Sequence, residues 1–280
     1  MIDLHTHSTY SDGTFSPMQL VEYAMKKGIT TLALTDHDCI GGVREASMVA
    51  RQNKLRFVSG VELSVLWKNK ALHVLGLNID INNQALLDLL EIHKCKRLER
   101  AKLMAHKLEE LGLENSLAKA TQLAPGGLVA RPHFARVLVQ DGWCKDFAQA
   151  FKRYLKQGRP AYVPTDWVNL EKGVATITQA GGVAVLAHPL RYRLTQTKLR
   201  ELIADFKLFG GMGMEVIAGM SSKQEIFELS ALCQKFDLLA SVGSDFHGEH
   251  ITPDVMNRLT ALPDTCRSIL EVLPSYGENE

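Results

Sequence analysis

The sequence contains little that would direct the chain to a membrane or attract it to nucleic acid by charge alone. No uninterrupted apolar run reaches membrane-spanning length, and residues 1–5 show neither a basic nor an apolar signal segment. The 32 basic and 31 acidic residues give a formal net charge of +1, so no global field attracts polyanions. We therefore expect a soluble, cytoplasmic protein without an obligate protein partner, in which any anion-binding site is local.

Cysteine is also scarce, which argues against a disulfide framework or a thiolate metal site. The chain has 5 cysteines, an odd number, and no two of them have the spacing of a zinc knuckle or of a thioredoxin motif. They are Cys39, Cys95, Cys144, Cys233 and Cys266. We expect them to be reduced and structural.

The rest of the composition is ordinary for a soluble enzyme, with 46% hydrophobic and 22% charged residues. Apolar β-rich runs alternate with amphipathic helical runs, which predicts parallel βα units. The predicted strands are 2–4, 30–35, 56–61, 71–77, 183–187, 214–217 and 238–242. Residues 82–158 contain no convincing strand pattern and several helical ones. We predict one α/β domain formed by residues 1–80 and 161–280 and interrupted at residues 81–160 by a helical insertion, which we expect to act as a substrate lid.

Two histidines directly follow the first predicted strand. His5 and His7 are two residues apart, and in an extended segment such residues point to the same side. Asp12 follows five residues after His7. The pair alone is a weak signal, because most such pairs are surface or satisfied core residues. A metal site therefore needs further ligands from the rest of the chain.

Further nitrogen and oxygen donors follow, or lie in, most of the other predicted strands. In parallel α/β barrels the active site forms at the carboxyl ends of the strands, where nearly all of these residues fall. The candidate metal ligands are His5, His7, Asp12, His37, Glu62, His73, His188, Asp245 and His247. Nine donors are enough for two or three divalent ions, and a set without thiolates suits manganese, zinc or iron. We expect manganese, with zinc and iron as the alternatives.

These donors stand in a series of motifs that together resemble a known family. In chain order the motifs are His5-Thr6-His7 with Asp12-Gly13, Thr35-Asp36-His37, Gly60-Val61-Glu62, His73, Ala187-His188-Pro189 and Ser244-Asp245-Phe246-His247. The series spans most of the chain and resembles the PHP (polymerase and histidinol phosphatase) family of metal-dependent phosphoesterases. The resemblance implies an α/β fold, a distorted seven-stranded (βα) barrel with a trinuclear metal centre.

The same resemblance implies how the ligands divide among three ions. One ion would take His5, His7, Glu62 and Asp245, a second Asp12, His37 and His247, and a third Glu62, His73 and His188. The implied catalytic residues are His5, His7, Asp12, His37, Glu62, Asp245 and His247. Three divalent ions against three carboxylates leave an excess of positive charge, which favours a phosphate over a neutral amide. We expect in-line attack on phosphorus by a hydroxide that bridges two ions.

Three more carboxylates lie beside these motifs. Asp36 and Asp38 flank His37, where they would orient ligand imidazoles or cap the following helix. For Glu215, in the sixth predicted strand, we expect an orienting role rather than that of a buried, satisfied carboxylate.

The predicted insertion carries a basic helical segment. His93, Arg97 and Arg100 share one helical face, and a second basic element, Arg131-Pro132-His133, follows a glycine-rich loop. A charged run is commonly a solvated helix face, but arginine forks bind phosphate bidentately. We predict that Arg97, Arg100, Arg131 and His133 bind substrate, with metal ligation as the alternative for His133.

A PHP core with this insertion resembles the subgroup of 3′,5′-nucleoside bisphosphate phosphatases, some of which are 5′→3′ exoribonucleases. The implied activity is removal of the 5′-phosphate from nucleoside 3′,5′-bisphosphates and trimming of short 5′-phosphorylated RNA. The alternatives are a phosphatase for another small phosphoester, such as histidinol phosphate, and a non-catalytic RNA-binding module. The second alternative is disfavoured because none of the motif ligands is missing.

Overall fold

A nearly closed barrel of strands forms the centre of the computed structural model, which describes residues 1–274. Eight strands belong to one sheet, and seven of them follow one another around the barrel in the order β1-β2-β3-β4-β6-β7-β8, while β5 pairs with β3. The strands are β1 (Ile2–Asp3), β2 (Thr31–Leu34), β3 (Arg56–Trp67), β4 (Lys70–Leu77), β5 (Val168–Asn169), β6 (Val183–Leu186), β7 (Gly213–Ala218) and β8 (Leu239–Gly243). The predicted seven-stranded α/β barrel is confirmed; the two-residue β5 was not predicted.

Backbone hydrogen bonds between the two ends of the sheet close the barrel. The Leu4 N–H donates to the Val242 carbonyl at 2.9 Å, and the Asp245 N–H donates to the His5 carbonyl at 2.8 Å. Strands β1, β2 and β3 are parallel to one another, as are β6, β7 and β8. The carboxyl ends of these strands therefore lie at one end of the barrel, as expected for a βα fold.

The fourth strand departs from the predicted parallel pattern. Strand β4 is antiparallel to both of its neighbours, β3 and β6. It returns from β3 through a two-residue turn in which Lys68 and Asn69 have φ values of 46° and 64°. Positive φ at both positions is typical of the tight hairpin turns that match strand twist. The predicted end of the third strand at Val61 was wrong, because the hairpin extends β3 to Trp67 and leaves Glu62 within the strand.

Helices cover the barrel and form the insertion. The barrel helices are α1 (Pro17–Lys26), α2 (Val43–Gln52), α7 (Leu170–Gln179), α8 (Gln196–Leu208) and α9 (Lys223–Phe236). Between β4 and β5 lie α3 (Gln84–Glu110), α4 (Ser116–Gln122), α5 (Arg131–Gln140), α6 (Phe147–Ala150) and a π-helical turn (Phe151–Leu155). The insertion is thus helical, as expected. Over residues 1–274, none of the helices combines the length and the apolar character that crossing a membrane requires.

The long helix α3 connects two separate hydrophobic cores. Its first part contributes Leu86, Leu89 and Leu90 to the core shared with the barrel. From Ala101 onward its buried side chains join a second core, centred on the fully buried Phe134 of α5. The insertion therefore has apolar packing of its own from about Ala101, while the boundaries at residues 80 and 160 stay a prediction.

The insertion also contacts the loop that follows the first strand. The Gly126 N–H donates to the Thr9 carbonyl at 3.1 Å. A Cβ atom at Gly126 would lie 2.5 Å from that same carbonyl oxygen, so only glycine permits this approach. The predicted glycine-rich loop thereby fixes the insertion beside the loop that carries His7 and Asp12.

Candidate metal centre

The nine candidate ligands converge at the carboxyl end of the barrel. His5 and His7 follow β1, His37 follows β2, and His188 follows β6. Asp245 and His247 follow β8, whereas Glu62 lies within β3 and His73 near the start of the antiparallel β4. Because β4 runs in the opposite direction, its first residues meet the carboxyl ends of the other strands. The hairpin thus brings His73 to the same end of the barrel as the other ligands.

Glu62 lies at the middle of this cluster, fully buried, with imidazoles around both of its oxygens. Its Oε2 atom lies 2.8 Å from His37 Nδ1 and 3.2 Å from His5 Nε2. Its Oε1 atom lies 2.9 Å from His73 Nδ1 and 3.1 Å from His188 Nε2. The two oxygens thus face two different sets of imidazoles, which is the arrangement a bridging carboxylate needs.

Two other carboxylates complete the cluster. Asp245 Oδ1 lies 3.0 Å from His7 Nε2 and 3.3 Å from His5 Nε2. Asp12 Oδ1 lies 3.3 Å from His247 Nε2. Donor atoms within 4.8 Å of one another form three groups of residues. The groups are His5, His7, Glu62 and Asp245; His7, Asp12, His37 and His247; and His37, Glu62 and His73.

These groups are similar to the division that the family resemblance implies, with three differences. His7 also joins the group of Asp12, and His37 also joins the group of His73. His188 is absent from the third group, although its Nε2 lies 3.4 Å from His73 Nδ1. All nine residues are brought together, and their assignment as ligands stays a prediction.

Unpaired polar atoms inside the cluster fit bound cations. Among residues 1–274, five nitrogen and oxygen atoms of the cluster residues are buried and make no hydrogen bond, although several lie close to one another: His5 Nε2, Asp12 Oδ1, His37 Nδ1, Glu62 Oε2 and His188 Nδ1. Buried polar groups normally have partners, and those without one need an explanation. Nitrogen and carboxylate oxygen donors are the ligands that manganese, zinc and iron accept. The residues therefore fit divalent metal ions.

The electrostatics of the cluster also favour cations. Burial alone would raise the pKa of Glu62, but nearby histidines, led by His37, hold it well below its ordinary value. The pKa of Asp245 is also held well below its ordinary value, against the effect of burial, mainly by His5. The pKa values of the histidines shift in different directions: burial lowers the pKa of His37 to about 4, whereas Asp245 and Glu62 raise the pKa of His7 to about 10 against the effect of burial. The ionised carboxylates attract positive charge, and metal binding would release the proton that an imidazole such as His7 holds.

Backbone geometry shows that the cluster is held under constraint. His188 and Asp245 adopt positive φ values of 28° and 55°, which are uncommon outside glycine. A Cβ atom at Gly13 would lie 2.3 Å from the His7 carbonyl oxygen, so the loop between His7 and Gly13 closes only with glycine there. Such features concentrate at functional sites.

Glu215 of β7 orients two of the candidate ligands. The His5 Nδ1–H donates to Glu215 Oε1 at 3.0 Å, which leaves His5 Nε2 directed at the cluster. The His188 backbone N–H donates to Glu215 Oε2 at 2.7 Å. These contacts are the ones that the expected orienting role requires, and the role itself stays a prediction.

We expect Glu215→Gln to weaken metal affinity about 10–100-fold, as loss of a carboxylate partner of a ligating histidine typically does. Glutamine has one acceptor oxygen for the two donors, His5 and His188, so one of them would face an amide N–H. Competition with a chromophoric chelator measures the affinity. Glu22→Gln, exposed on α1, is the matched control, and equal affinities of the two variants would contradict the orienting role.

Asp36 and Asp38 do not have the roles expected from the sequence. Asp36 accepts hydrogen bonds from the hydroxyls of Ser8 and Ser11, both at 2.6 Å, and thereby fixes the loop after β1. Asp38 accepts hydrogen bonds from the Ser64 N–H of β3 and from the Arg97 guanidinium of α3. Neither carboxylate contacts a candidate ligand imidazole, and α2 begins without a side-chain cap. Both predicted alternatives were wrong, because the side chains adjoining His37 point away from the cluster, into loop and helix contacts.

A basic cavity of about 630 Å³ adjoins the cluster. Its lining includes Asp12, His37, His73, Asp245 and His247 at one end, and Arg97, Arg100 and Arg131 from the insertion. The predicted substrate-binding arginines therefore face the same space as the candidate metal ligands. A cavity of this size is within the range that holds small ligands.

The three arginines differ in their partners. The buried Arg97 donates from Nε to Asp38 Oδ2 at 2.8 Å and also through Nη2 to the same oxygen. Arg100 and Arg131 form no ion pair with any residue from 1 to 274, and Arg100 Nε is buried without a partner. Burial, with repulsion from Arg97 and Arg131, lowers the pKa of Arg100 to about 9. Two unpaired guanidiniums facing one cavity favour an anionic ligand.

His133 is buried and lies outside the cavity lining. Its Nδ1 accepts a hydrogen bond from the Ala130 N–H at 2.9 Å, which stabilises the first turn of α5. Burial lowers its pKa to about 4. A structural contact thus accounts for one nitrogen of His133, and its binding of substrate or metal stays a prediction.

Several cavity residues were not found from the sequence. Arg191 pairs with Asp245 and lines the cavity, and its position three residues after His188 was the available signal. Trp167 lies under Arg97 and Arg100, with the guanidinium carbons 5.2 and 5.4 Å from its ring centre. Tyr162 also lines the cavity, and no motif marks it.

Comparison with known proteins gives a family match and two similar relatives. The family model described as PHP domain matches residues 3–216. A 5′-3′ exoribonuclease of Haemophilus influenzae is 44% identical over 245 residues, covering 88% of this chain and 89% of the relative. A 3′,5′-nucleoside bisphosphate phosphatase of Chromobacterium violaceum is 39% identical over 269 residues, covering 96% and 94% of the two chains.

A solved structure has the same overall fold. It is named as an amidohydrolase from Chromobacterium violaceum with bound sulfate and no metal, and it is 39% identical in sequence. The two structures superpose with a TM-score of 0.91, covering 96% of this chain and 94% of the other. The barrel and its insertion are therefore shared over nearly the whole chain.

Proposed function

The chain belongs to the PHP domain family, and on that premise we propose that it is a metal-dependent phosphoesterase acting on nucleotides. It removes the 5′-phosphate from nucleoside 3′,5′-bisphosphates and trims short RNA from its 5′ end. The observation that carries this proposal is the single cavity that joins the nine-donor cluster to Arg100 and Arg131. A bisphosphate needs two anion sites, and the cavity offers two of different chemistry.

The metal cluster is the proposed site of the scissile phosphate. Divalent ions, manganese in the first place, would be held by His5, His7, Asp12, His37, Glu62, His73, His188, Asp245 and His247. When bound, such ions supply the Lewis acidity and the lowered water pKa that phosphoester hydrolysis requires. Glu62 holds two groups of imidazoles together, and Glu215 keeps His5 directed inward.

The insertion is the proposed site of the second phosphate and of the nucleoside. Arg100 and Arg131 would bind the 3′-phosphate, and Arg97, fixed by Asp38, would hold the adjoining wall in place. Trp167 and Tyr162 give the same wall aromatic surface, on which bases of any identity stack. Residues 81–160 would thus act as a lid that excludes water from the bound nucleotide, consistent with the contact of Gly126 with Thr9.

The basic cavity also argues against two other functions. The solved relative is named an amidohydrolase. A neutral amide substrate carries no negative charge that the unpaired arginines beside the metal cluster could bind. A phosphatase for histidinol phosphate or another small phosphoester needs only one anion site. Both alternatives leave the buried Arg100 and the partly buried Arg131 without a partner, at a cost in desolvation.

We expect Arg100→Ala to lower kcat/KM for adenosine 3′,5′-bisphosphate about 10–100-fold, equivalent to roughly 1–3 kcal/mol for a charge-assisted contact. The decrease for p-nitrophenyl phosphate, which has no second phosphate, should be much smaller. Steady-state kinetics on both substrates measures the difference. Arg136→Ala, on α5 but outside the cavity lining, is the matched control. Equal decreases on both substrates would instead favour a phosphatase for another small phosphoester.

A further inference from the structure

A second cavity adjoins the metal cluster on the other side of Arg191. It encloses about 290 Å³, near the lower end of the range for small-ligand sites. His188 and Ser244 connect it to the candidate ligands, and Arg191 lines both this cavity and the basic one. We name it the second cavity; it is bounded further by Leu190, Ala218, Met220, Thr252 and Val255. Neither the family resemblance nor the relatives' names give this space a role.

The second cavity differs from the basic one in charge. Arg191 lies at the wall of the second cavity. Glu225 also lines this cavity, but its Oε2 atom already accepts a hydrogen bond from the Ser222 N–H at the start of α9, at 2.7 Å. Its hydroxyls are also used within the protein. Thr252 Oγ1 accepts the His247 N–H at 2.8 Å, and Ser221 Oγ accepts the Ala218 N–H at 3.0 Å. The cavity therefore suits a group of low charge, recognised by shape rather than by hydrogen-bond pattern.

The arrangement of the two cavities matches the difference between phosphate monoesters and phosphodiesters. A monoester phosphorus bears one organic substituent, so one cavity beside the metal cluster is sufficient. A diester phosphorus bears two substituents, and each needs its own space. Here the cluster has a cavity on either side, with a guanidinium between them.

We propose that the second cavity binds the second nucleoside of a phosphodiester, so that one metal cluster hydrolyses both bisphosphates and RNA ends. This rests on the proposed function, which it deepens by assigning the residues that admit a diester. Hydrolysis adds water across one P–O bond: the water oxygen bonds to phosphorus, and a proton goes to the ester oxygen that leaves. The scarcity of free polar groups in the second cavity makes binding independent of base identity.

Arg191 is the residue best placed to serve both substrates. Its guanidinium pairs with Asp245, and its side chain is 48% exposed, so it remains accessible from either cavity. A diester phosphate has one fewer ionisable oxygen than a monoester phosphate. The second nucleoside of a diester would lie next to Arg191, because Arg191 lines the second cavity as well as the basic one.

The test fills the second cavity and compares two substrates. Ala218, half-buried at the end of β7, is changed to leucine, and Met220, 59% exposed at the cavity wall, is changed separately to tryptophan. The substrates are adenosine 3′,5′-bisphosphate, assayed for phosphate, and an RNA dinucleotide with a free 5′-hydroxyl, assayed for released 5′-mononucleotide by chromatography. We expect the ratio of kcat/KM for the dinucleotide to that for the bisphosphate to fall at least tenfold in both variants.

Ala261→Leu provides the matched control, because Ala261 is exposed and lines a separate cavity at the opposite end of the barrel. Its ratio should equal that of the unmodified protein. If Ala218→Leu fails to fold, Met220→Trp decides, because its side chain lies at the surface. An unchanged ratio in the folded variants would overturn the inference alone. An unmodified protein that hydrolyses the bisphosphate and leaves the dinucleotide intact would overturn the inference together with the RNA part of the proposed function. Failure to hydrolyse either substrate would overturn the proposed function itself.

Discussion

Replacing Glu62 by glutamine is expected to lower kcat/KM for adenosine 3′,5′-bisphosphate by at least about 10³-fold, equivalent to roughly 4 kcal/mol of transition-state stabilisation. Glutamine preserves the size of the side chain but removes its charge. One amide oxygen cannot replace the two carboxylate oxygens that face His37 and His5 on one side and His73 and His188 on the other. We therefore expect the metal content to fall together with the turnover.

The measurement combines metal analysis of the purified variant with steady-state kinetics in manganese. Glu109→Gln, exposed on α3, is the matched control and should keep both metal content and turnover. A circular dichroism spectrum equal to that of the unmodified protein would show that the barrel is intact. Full metal content with full turnover in Glu62→Gln would contradict the proposed role of Glu62 in holding the metal ions.

Replacing Arg97 by alanine is expected to lower the free energy of unfolding by about 3 kcal/mol, at the lower end of the range for breaking a buried ion pair. Burial alone would raise the pKa of Asp38, but Arg97, together with a hydrogen bond from His93, holds it well below its ordinary value. The alanine variant leaves this buried carboxylate without its guanidinium. It also removes a hydrogen bond between α3 and β3, which Arg97 Nη2 donates to Ser64 Oγ at 3.1 Å.

Denaturant unfolding measures the change, with Arg100→Ala as the comparison on the same helix face. Arg100 has no carboxylate partner among residues 1–274 and is repelled by Arg97 and Arg131, so its loss should cost less. Adding Asp38→Asn to Arg97→Ala should restore part of the stability by removing the uncompensated charge, which a double-mutant cycle quantifies. An unfolding free energy for Arg97→Ala equal to that of Arg100→Ala would contradict the structural role of the Arg97–Asp38 pair.

The positions of most candidate ligands could be predicted from the sequence because they follow one rule, although Glu62 lies within β3 and His73 near the start of the antiparallel β4. His5, His37 and Asp245 come directly after parallel strands, and the carboxyl ends of such strands meet at one end of the barrel. The ligand motifs lie far apart in the chain, yet this rule alone places them together. The strand periodicity and the helical pattern of residues 82–158 were sufficient to predict the βα units and the insertion, whereas the barrel was implied by the family resemblance.

What could not be predicted depends on partners far apart in the sequence. The reversal of β4 depends on a turn at Lys68 and Asn69 that lacks the usual glycine. The pairing of Asp38 with Arg97 joins residues 59 positions apart, so the local pattern indicated only that Arg97 is a basic residue on a helix face. Arg191 was missed because its importance comes from its contact with Asp245, 54 residues away. Side-chain partners of this kind are fixed by tertiary packing rather than by local pattern.

The most direct test of the account is phosphate release from adenosine 3′,5′-bisphosphate by the manganese-loaded protein, before and after treatment with a chelator. AMP and a short 5′-phosphorylated RNA are measured alongside. We expect the bisphosphate to be hydrolysed in preference to AMP and the RNA to release mononucleotide. The chelator should abolish both reactions until manganese is restored. Hydrolysis of a generic phosphoester with all three nucleotide substrates untouched would contradict the proposed substrate, and hydrolysis that resists the chelator would contradict the metal centre.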